Sequence, residues 1–133
     1  MFGSLDISAS GLIAQRAQMD TIAGNIANVQ TTRRADGRAG PYLRQVALLA
    51  PGDGKDGPGV HVDRVVEDRQ GKPRMVHDPD HPDADADGNV AYPNVDLGTE
   101  MVNAMVAVRA YEANVTAIEA TKSILASTIR LLA

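Results

Sequence analysis

The fold is decided by the carboxy-terminal stretch from Leu97 to Leu132, which reads LGTEMVNAMVAVRAYEANVTAIEATKSILASTIRLL. Apolar residues recur there every three or four positions, the spacing of one face of an amphipathic helix or a coiled coil. No proline interrupts the stretch, and Asp96 or Thr99 can cap its first turn. We therefore predict one long helix in the segment 97–133. Its apolar seam consists of Leu97, Met101, Ala104, Val108, Tyr111, Val115, Ile118, Leu125, Ile129 and Leu132, with Lys122 as a polar interruption.

A second apolar repeat occupies the amino-terminal end and predicts another helix in the segment 1–30. It consists of Leu5, Leu12, Met19 and Ile26 at seven-residue intervals, with Ile22 and Val29 in companion positions. Gly11 and Gly24 lie inside this helix, and each costs about 1 kcal/mol relative to alanine. We therefore expect this helix to depend on packing against another surface.

The segment 31–96 separates the two helices and has no helical period. Short alternating stretches predict strands at 41–49, 60–67 and 73–77, with residues 68–71 as the turn between the last two. Residues 78–94 contain three prolines and five aspartates, so we expect them to run over the surface. The predicted fold is mainly α: paired long terminal helices of coiled-coil type, dependent on assembly, with a small β-hairpin or extended middle segment.

The predicted long helix indicates that the protein works as an assembly subunit. About 36 residues at 1.5 Å each give a helix of about 54 Å, which a first helix of about 25 residues cannot cover. The remaining apolar surface must meet another molecule, and asparagines on the helices can set the register of such contacts. The predicted assembly interface consists of Leu5, Leu12, Met19, Ile22, Asn25, Ile26, Asn28, Met101, Val108, Tyr111, Asn114, Val115, Ile118, Leu125 and Ile129.

Composition excludes several other classes of function. The net charge of −4 argues against nucleic acid as a partner, because phosphate binding needs an excess of lysine and arginine. The chain has no cysteine, which excludes disulfides and thiol chemistry. It has no apolar run long enough for a bilayer span and no pattern of a cleaved secretory signal. Motifs for nucleophilic catalysis or nucleotide binding are also missing, so we predict neither an enzyme nor a cofactor.

One motif suggests a metal ion. Residues 83–88, DADADG, match the opening of a calcium-binding loop. The twelfth position of that loop is Asn94 instead of a bidentate glutamate, and Pro82 and Pro93 stand where flanking helices would be needed. We therefore favour an acidic surface turn, which could face the arginines at 33–44 of another copy, and predict no metal. A small calcium-binding module and a coiled-coil adaptor are the alternative functions.

Three ordered blocks of the sequence resemble a known family. The stretch SGLIAQRAQMDTIAGNIANVQTT at 10–32, with its N-I-A-N segment at 25–28, is similar to the start of bacterial flagellar rod and hook proteins. The blocks at 78–96 and 100–125 follow in the order of that family, and the G-P-Y at 40–42 also fits. Thr31-Thr32, where most members have Thr-Pro, resembles the proximal-rod members.

The resemblance implies a structural subunit of the basal-body rod, which spans the periplasm and joins the membrane rotor ring to the distal rod and hook. It also implies export through the flagellar type III apparatus without a cleaved signal peptide, and terminal helices that line a tube and transmit torque. The implied partners are copies of the chain itself, other rod proteins, the adaptor between rotor ring and rod, and the distal rod. Neither nucleic-acid binding nor membrane insertion is expected.

Overall fold

The described residues form two long helices with four short strands between them. The computed structural model describes residues 2–38, 40–52, 54 and 57–132. The elements in order are α1 (Phe2–Ala27), β1 (Gln45–Pro51), β2 (Val60–Glu67), β3 (Arg74–His77), β4 (Asn89–Tyr92) and α2 (Leu97–Leu132). The predicted mainly α fold with paired terminal helices and a small β segment is confirmed. None of the described helices combines the length and apolar character that a bilayer span requires.

The two helices pack against each other in antiparallel orientation. Asn25 is hydrogen bonded to Glu100, and Gly11 lies against Asn114, whose Nδ2 would be 2.8 Å from a Cβ built on that glycine. These two contacts are separated by 14 residues on each helix, which fixes the direction and register of the pair. Ala14 and Ala107 are 1% and 3% exposed. Because these contact residues are small, the helix backbones can approach closely.

Local side-chain bonds mark where each helix ends or begins. Asp96 caps α2, because its carboxylate accepts a hydrogen bond from the Thr99 amide at 2.6 Å. This bond selects Asp96 over Thr99 as the cap. At the end of α1, Asn28 Nδ2 donates to the carbonyl of Gly24 at 2.8 Å, and the Asn28 carbonyl accepts from the Thr31 amide. Asn28 therefore turns the chain out of the helix.

The strands β1 and β2 form an antiparallel hairpin along α1. Its register shifts between Leu48 and Leu49. Near the turn of the hairpin, the Val60 amide donates to Ser10 Oγ of α1 at 3.1 Å. Gly59 has a φ of +128°, and a Cβ there would lie 2.5 Å from that hydroxyl. Glycine at this position thus permits the close approach of hairpin and helix.

The strands β3 and β4 form a second antiparallel hairpin, which corrects two expectations. The predicted turn at 68–71 exists, since Asp68 accepts hydrogen bonds from the amides of Gln70 and Gly71. It connects two separate hairpins, however, and does not pair β2 with β3. The expectation that residues 78–94 only run over the surface is also wrong, because Val90 of β4 is fully buried. Aspartates and prolines on both sides conceal this short apolar strand in the sequence.

The carboxy-terminal part of α2 extends beyond α1. The helix has 36 residues and α1 has 26. With Asn25 opposite Glu100, the start of α1 lies near residue 123 of α2. Ile124, Ile129 and Leu131 beyond or near this point are 60%, 65% and 87% exposed. The structure therefore contains the uncovered helical surface that the difference in length predicts.

Candidate assembly interface

A cluster of hydrogen-bonded polar groups joins α1, the start of β1 with the residues just before it, and the first turn of α2. We call it the polar joint; its residues are Asn25, Tyr42, Arg44, Gln45 and Glu100. Asn25 and Glu100 are 1% and 0% exposed, which makes them the buried polar residues of the described chain. Buried polar groups need hydrogen-bond partners to offset their loss of water. The polar joint provides those partners.

Asn25 uses the full hydrogen-bonding capacity of its amide. Its Nδ2 donates to the main-chain carbonyl of Gln45 at 2.8 Å and to Glu100 Oε2 at 3.1 Å. Its Oδ1 accepts from the Gln45 amide at 2.8 Å and from the Tyr42 hydroxyl at 3.0 Å. The Asn25 amide thus pairs with both the N–H and the C=O of Gln45, in the way that the main chain of a neighbouring strand would. This two-point bond fastens the start of β1 to α1.

Glu100 connects α2 to both other elements. Its Oε1 accepts from Arg44 Nε at 2.7 Å and from Arg44 Nη2 at 2.6 Å, while Oε2 accepts from Asn25. Loss of one partner of a buried ion pair is costly, because it leaves a charge without compensation. The same environment acts on Tyr42, whose pKa is raised by burial and by the negative charges of Glu100 and Glu67. The Tyr42 hydroxyl therefore stays protonated and donates to Asn25.

An exposed stripe runs along α2, away from the face that packs on α1. We call it the outer stripe; it consists of Val102, Val106, Arg109, Ala113, Ala117, Ala120, Ile124, Ser127 and Leu131. Its members are spaced three or four residues apart, so they lie in one row on the helix. Arg109 is its one charged residue, and Arg109 Nη1 pairs with Glu112 Oε2 at 2.8 Å.

The neighbouring exposed face of α2, from residue 112 onward, has a different character. It carries Glu112, Thr116, Glu119, Ser123, Ala126 and Arg130. This face is polar, as solvent-facing helix surfaces normally are. In the first third of the helix the apolar surface is wider, because Leu97, Met101, Met105 and Val108 are exposed as well. Next to this wide part, Val106 also borders a cavity of about 190 Å³ between α1, β1 and α2.

The structure divides the predicted interface residues into three groups. Those of α1 and of the residue after it are half-buried, apart from the buried Asn25: Leu5, Leu12, Met19, Ile22, Ile26 and Asn28. Those in the middle of α2 are half-buried and share the face of Ala107: Tyr111, Asn114, Val115, Ile118 and Leu125. Met101, Val108 and Ile129 are exposed at 56%, 41% and 65%. Contacts of all these residues with other molecules stay a prediction.

Sequence patterns alone do not identify most members of the polar joint. Of its residues, only Asn25 stands in the predicted assembly interface. One signal could have identified Glu100: it stands four residues before Ala104 and seven before Ala107, so it shares their buried face. A charged residue on a buried face needs a partner. That this partner is Arg44, 56 positions away, is decided by the tertiary fold.

The acidic turn binds its own chain. Asp83 accepts hydrogen bonds from the Thr32 hydroxyl at 2.7 Å and from Arg33 Nε, and these two contacts lower its pKa. Asp85 accepts from the amides of Asp87 and Asn89. Asp83 therefore contacts an arginine of its own chain, whereas a contact of the acidic turn with another copy stays a prediction. In the described part of the chain, no group of three or more His, Cys, Asp or Glu is arranged to hold a metal ion.

Known proteins match this chain over both of its helices. Residues 5–33 match the family described as "Flagella basal body rod protein", and residues 86–131 match the family described as "Flagellar basal body rod FlgEFG protein C-terminal". The flagellar basal-body rod protein FlgC of Bacillus subtilis is 40% identical over 98% of this chain and 97% of its own length. The chain belongs to the FlgC family of flagellar basal-body rod proteins.

Other members of the FlgC family match to a similar extent. FlgC of Borreliella burgdorferi is 39% identical over 99% of this chain and 97% of its own length, and FlgC of Aquifex aeolicus is 40% identical over 93% and 91%. The predicted family and the predicted non-enzymatic, structural role in the flagellar rod are confirmed. The two family matches contain Asn25 and Glu100, the two buried polar residues of the joint.

Proposed function

We propose that this chain is a subunit of the proximal rod and passes torque from the membrane rotor ring to the distal rod and hook. Its contacts to neighbouring subunits are made by the outer stripe of α2 and by the part of α2 beyond α1. The observation that carries the proposal is the outer stripe itself. An apolar row with one charged residue stands beside a polar face on the same exposed helix.

The outer stripe has the properties of a helix-packing surface. Large apolar residues at its ends, Val102, Val106, Ile124 and Leu131, are 58%, 64%, 60% and 87% exposed. Soluble monomers rarely expose an apolar surface that is continuous over a whole helix, whereas interfaces do. The alanines in its middle allow a neighbouring helix to come close. A helix of another subunit therefore fits this surface best.

The geometry of α2 also suits the transfer of torque. Its exposed end lies beyond the start of α1, so it can bridge to an adjacent subunit. Side chains of packed helices sit in holes formed by their neighbours, and sliding requires many of them to leave together. Overlapping helices of this kind resist shear between subunits.

Membership of the FlgC family supports the remaining parts of the proposal. The partners are copies of the chain, other rod proteins, the adaptor between rotor ring and rod, and the distal rod. The chain reaches the rod through the flagellar type III apparatus, without a cleaved signal peptide. The small buried core supports passage in an unfolded state, because three of the four buried apolar residues in the described part of the chain are the alanines Ala14, Ala47 and Ala107.

A charge placed in the outer stripe tests the proposal. We expect Ala120→Asp to prevent incorporation into rods, because a carboxylate would be buried against an apolar helix. Ala126→Asp is the matched control, since it places the same charge on the polar face of the same helix. Both variants are expressed in a motile bacterium in place of the parent chain. The readouts are swimming and the amount of the chain in purified basal bodies.

The expected result is loss of swimming and of rod incorporation for Ala120→Asp, with both retained for Ala126→Asp. Export is measured separately, as chain found outside the cytoplasm, so that a failure of export is not mistaken for a failure of packing. Normal rods in cells carrying Ala120→Asp would refute the role of the outer stripe.

A further inference from the structure

The apolar contacts between α1 and α2 do not fix a unique register. The repeat of Leu5, Leu12, Met19 and Ile26 has a period of seven residues, so a shift of one helix by seven positions again presents apolar residues. Apart from Gly11, which lies against Asn114, the buried contact residues of the helix pair are Ala14 and Ala107, whose small size offers little shape that could oppose such a shift. Another feature must distinguish the observed register from the shifted ones.

The polar joint supplies that distinction. A shift by one heptad in one direction would place Gln18 opposite Glu100, and in the other direction Ala107 opposite Asn25. Either shift leaves the Asn25 amide and the Glu100 carboxylate without their present partners, and unpaired buried polar groups are strongly unfavourable. A single polar residue at a helix interface is known to select register in this way.

We propose that Glu100 is a positioning residue that fixes the register and rotation of α2 on α1 through its bonds to Asn25 and Arg44. The other side-chain hydrogen bonds described for α2 stay within α2 or at its cap. Glu100 therefore sets which residues of α2 face outward. The inference rests on the proposed function only where it concerns the use of the outer stripe in assembly.

Disulfide trapping measures the register directly. The chain has no cysteine, so introduced pairs are the only thiols. A Cβ on Gly11 would lie 3.1 Å from Asn114 Cγ, so Gly11→Cys with Asn114→Cys reports the observed register. Gly11→Cys with Ala107→Cys or with Thr121→Cys reports a shift by one heptad. Without any fixed register the three pairs would close at rates within about 20% of each other, because their loops are similar in length.

The experiment compares disulfide formation in the purified full chain under mild oxidation. We expect the 11–114 pair to form at least tenfold faster than the other two. Glu100→Leu should reduce this preference to less than threefold. Glu112→Leu is the matched control, because it removes an exposed carboxylate from α2 without touching the polar joint, and it should keep the preference.

A second pair of variants gives a result even if Glu100→Leu does not fold. Asn25→Asp alone brings two carboxylates together and should abolish the preference, whereas adding Glu100→Gln restores a donor opposite the new carboxylate and should recover at least part of it. A preference that persists in Glu100→Leu, or that is lacking in the parent chain, would overturn the inference. Normal trapping in the parent chain together with normal rods in cells carrying Ala120→Asp would instead refute the proposed function and leave this inference standing.

Discussion

Removal of the Asn25 side chain is the most informative test of the polar joint. In Asn25→Ala the main-chain amide and carbonyl of Gln45, the Tyr42 hydroxyl and Glu100 Oε2 all lose a partner. Glu100 keeps its bonds to Arg44, and the Tyr42 hydroxyl can turn to another acceptor. The two main-chain groups of Gln45 cannot move in this way, so they dominate the effect.

The expected loss of stability follows from these two groups. An unsatisfied, largely buried main-chain group costs about 1–3 kcal/mol, and Gln45 is half-buried, so we take about 1.5 kcal/mol for each. The higher helix propensity of alanine returns about 0.5 kcal/mol. The free energy of unfolding should therefore fall by about 2.5 kcal/mol. With a urea dependence of about 1.5 kcal/mol per molar, the unfolding midpoint should fall by about 1.7 M.

The measurement is urea unfolding followed by the far-ultraviolet circular dichroism of the helices. Asn103→Ala is the control: it removes a half-buried asparagine of α2 whose side chain has no hydrogen bond in the described structure. Its midpoint should rise by about 0.3 M, because only the helix propensity changes. If the free energy of unfolding of the parent chain is below about 2.5 kcal/mol, the Asn25→Ala variant should already have lost its helical signal in the absence of urea. Equal midpoints for the two variants would refute our account of the polar joint.

Two further predictions concern the helix contact and the acidic turn. Gly11→Ala should leave the free energy of unfolding nearly unchanged, because a gain of about 1 kcal/mol in helix propensity is offset by displacement of Asn114. In an Asn114→Ala background the same substitution should stabilise the chain by about 1 kcal/mol. Equal effects in both backgrounds would contradict the close contact between Gly11 and Asn114. The hydrogen bonds from Thr32 and Arg33 lower the pKa of the Asp83 carboxyl from its usual 3.8. The ionised carboxylate therefore contributes its full stabilisation above pH 3.8, and this stabilisation is lost as the pH falls through the lower pKa of the folded chain. Urea midpoints should therefore show Asp83→Asn less stable than the parent chain at pH 6, and this difference should shrink as the pH falls below 3.8. A difference independent of pH would exclude this contact.

The local signals in the sequence were sufficient for most of the secondary structure. The helix capped by Asp96 and the strand β2 at Val60–Glu67 lie where periodicity and alternation predict them. β1 begins at Gln45, later than the predicted position 41, because the stretch of Pro41 and Tyr42 belongs to the loop after α1. Strand β4 was missed because four residues give too little alternation to stand out among aspartates and prolines.

The sequence predicts that α2 has an exposed apolar surface, but it does not predict which residues of α2 form that surface. A seam calculated from apolar spacing alone groups Met101 and Val108 with Tyr111 and Ile118, yet the first two are exposed and the other two are half-buried. The first third of α2 carries apolar residues on several of its sides, so their spacing does not show which side of the helix packs against α1. The side of α2 that packs against α1 depends on the bonds of Glu100 to Asn25 and Arg44.

Periodicity, capping and composition within short windows specify the two helices, the punctuated middle segment and the excess length of α2. Tertiary structure alone decided the register of the helix pair, the pairing of the strands and the face of α2 left uncovered. Those features depend on contacts such as that of Asn25 with Glu100, 75 positions apart. A buried polar group selects its partner from everything that the folded chain brings near it, and no local pattern records that choice.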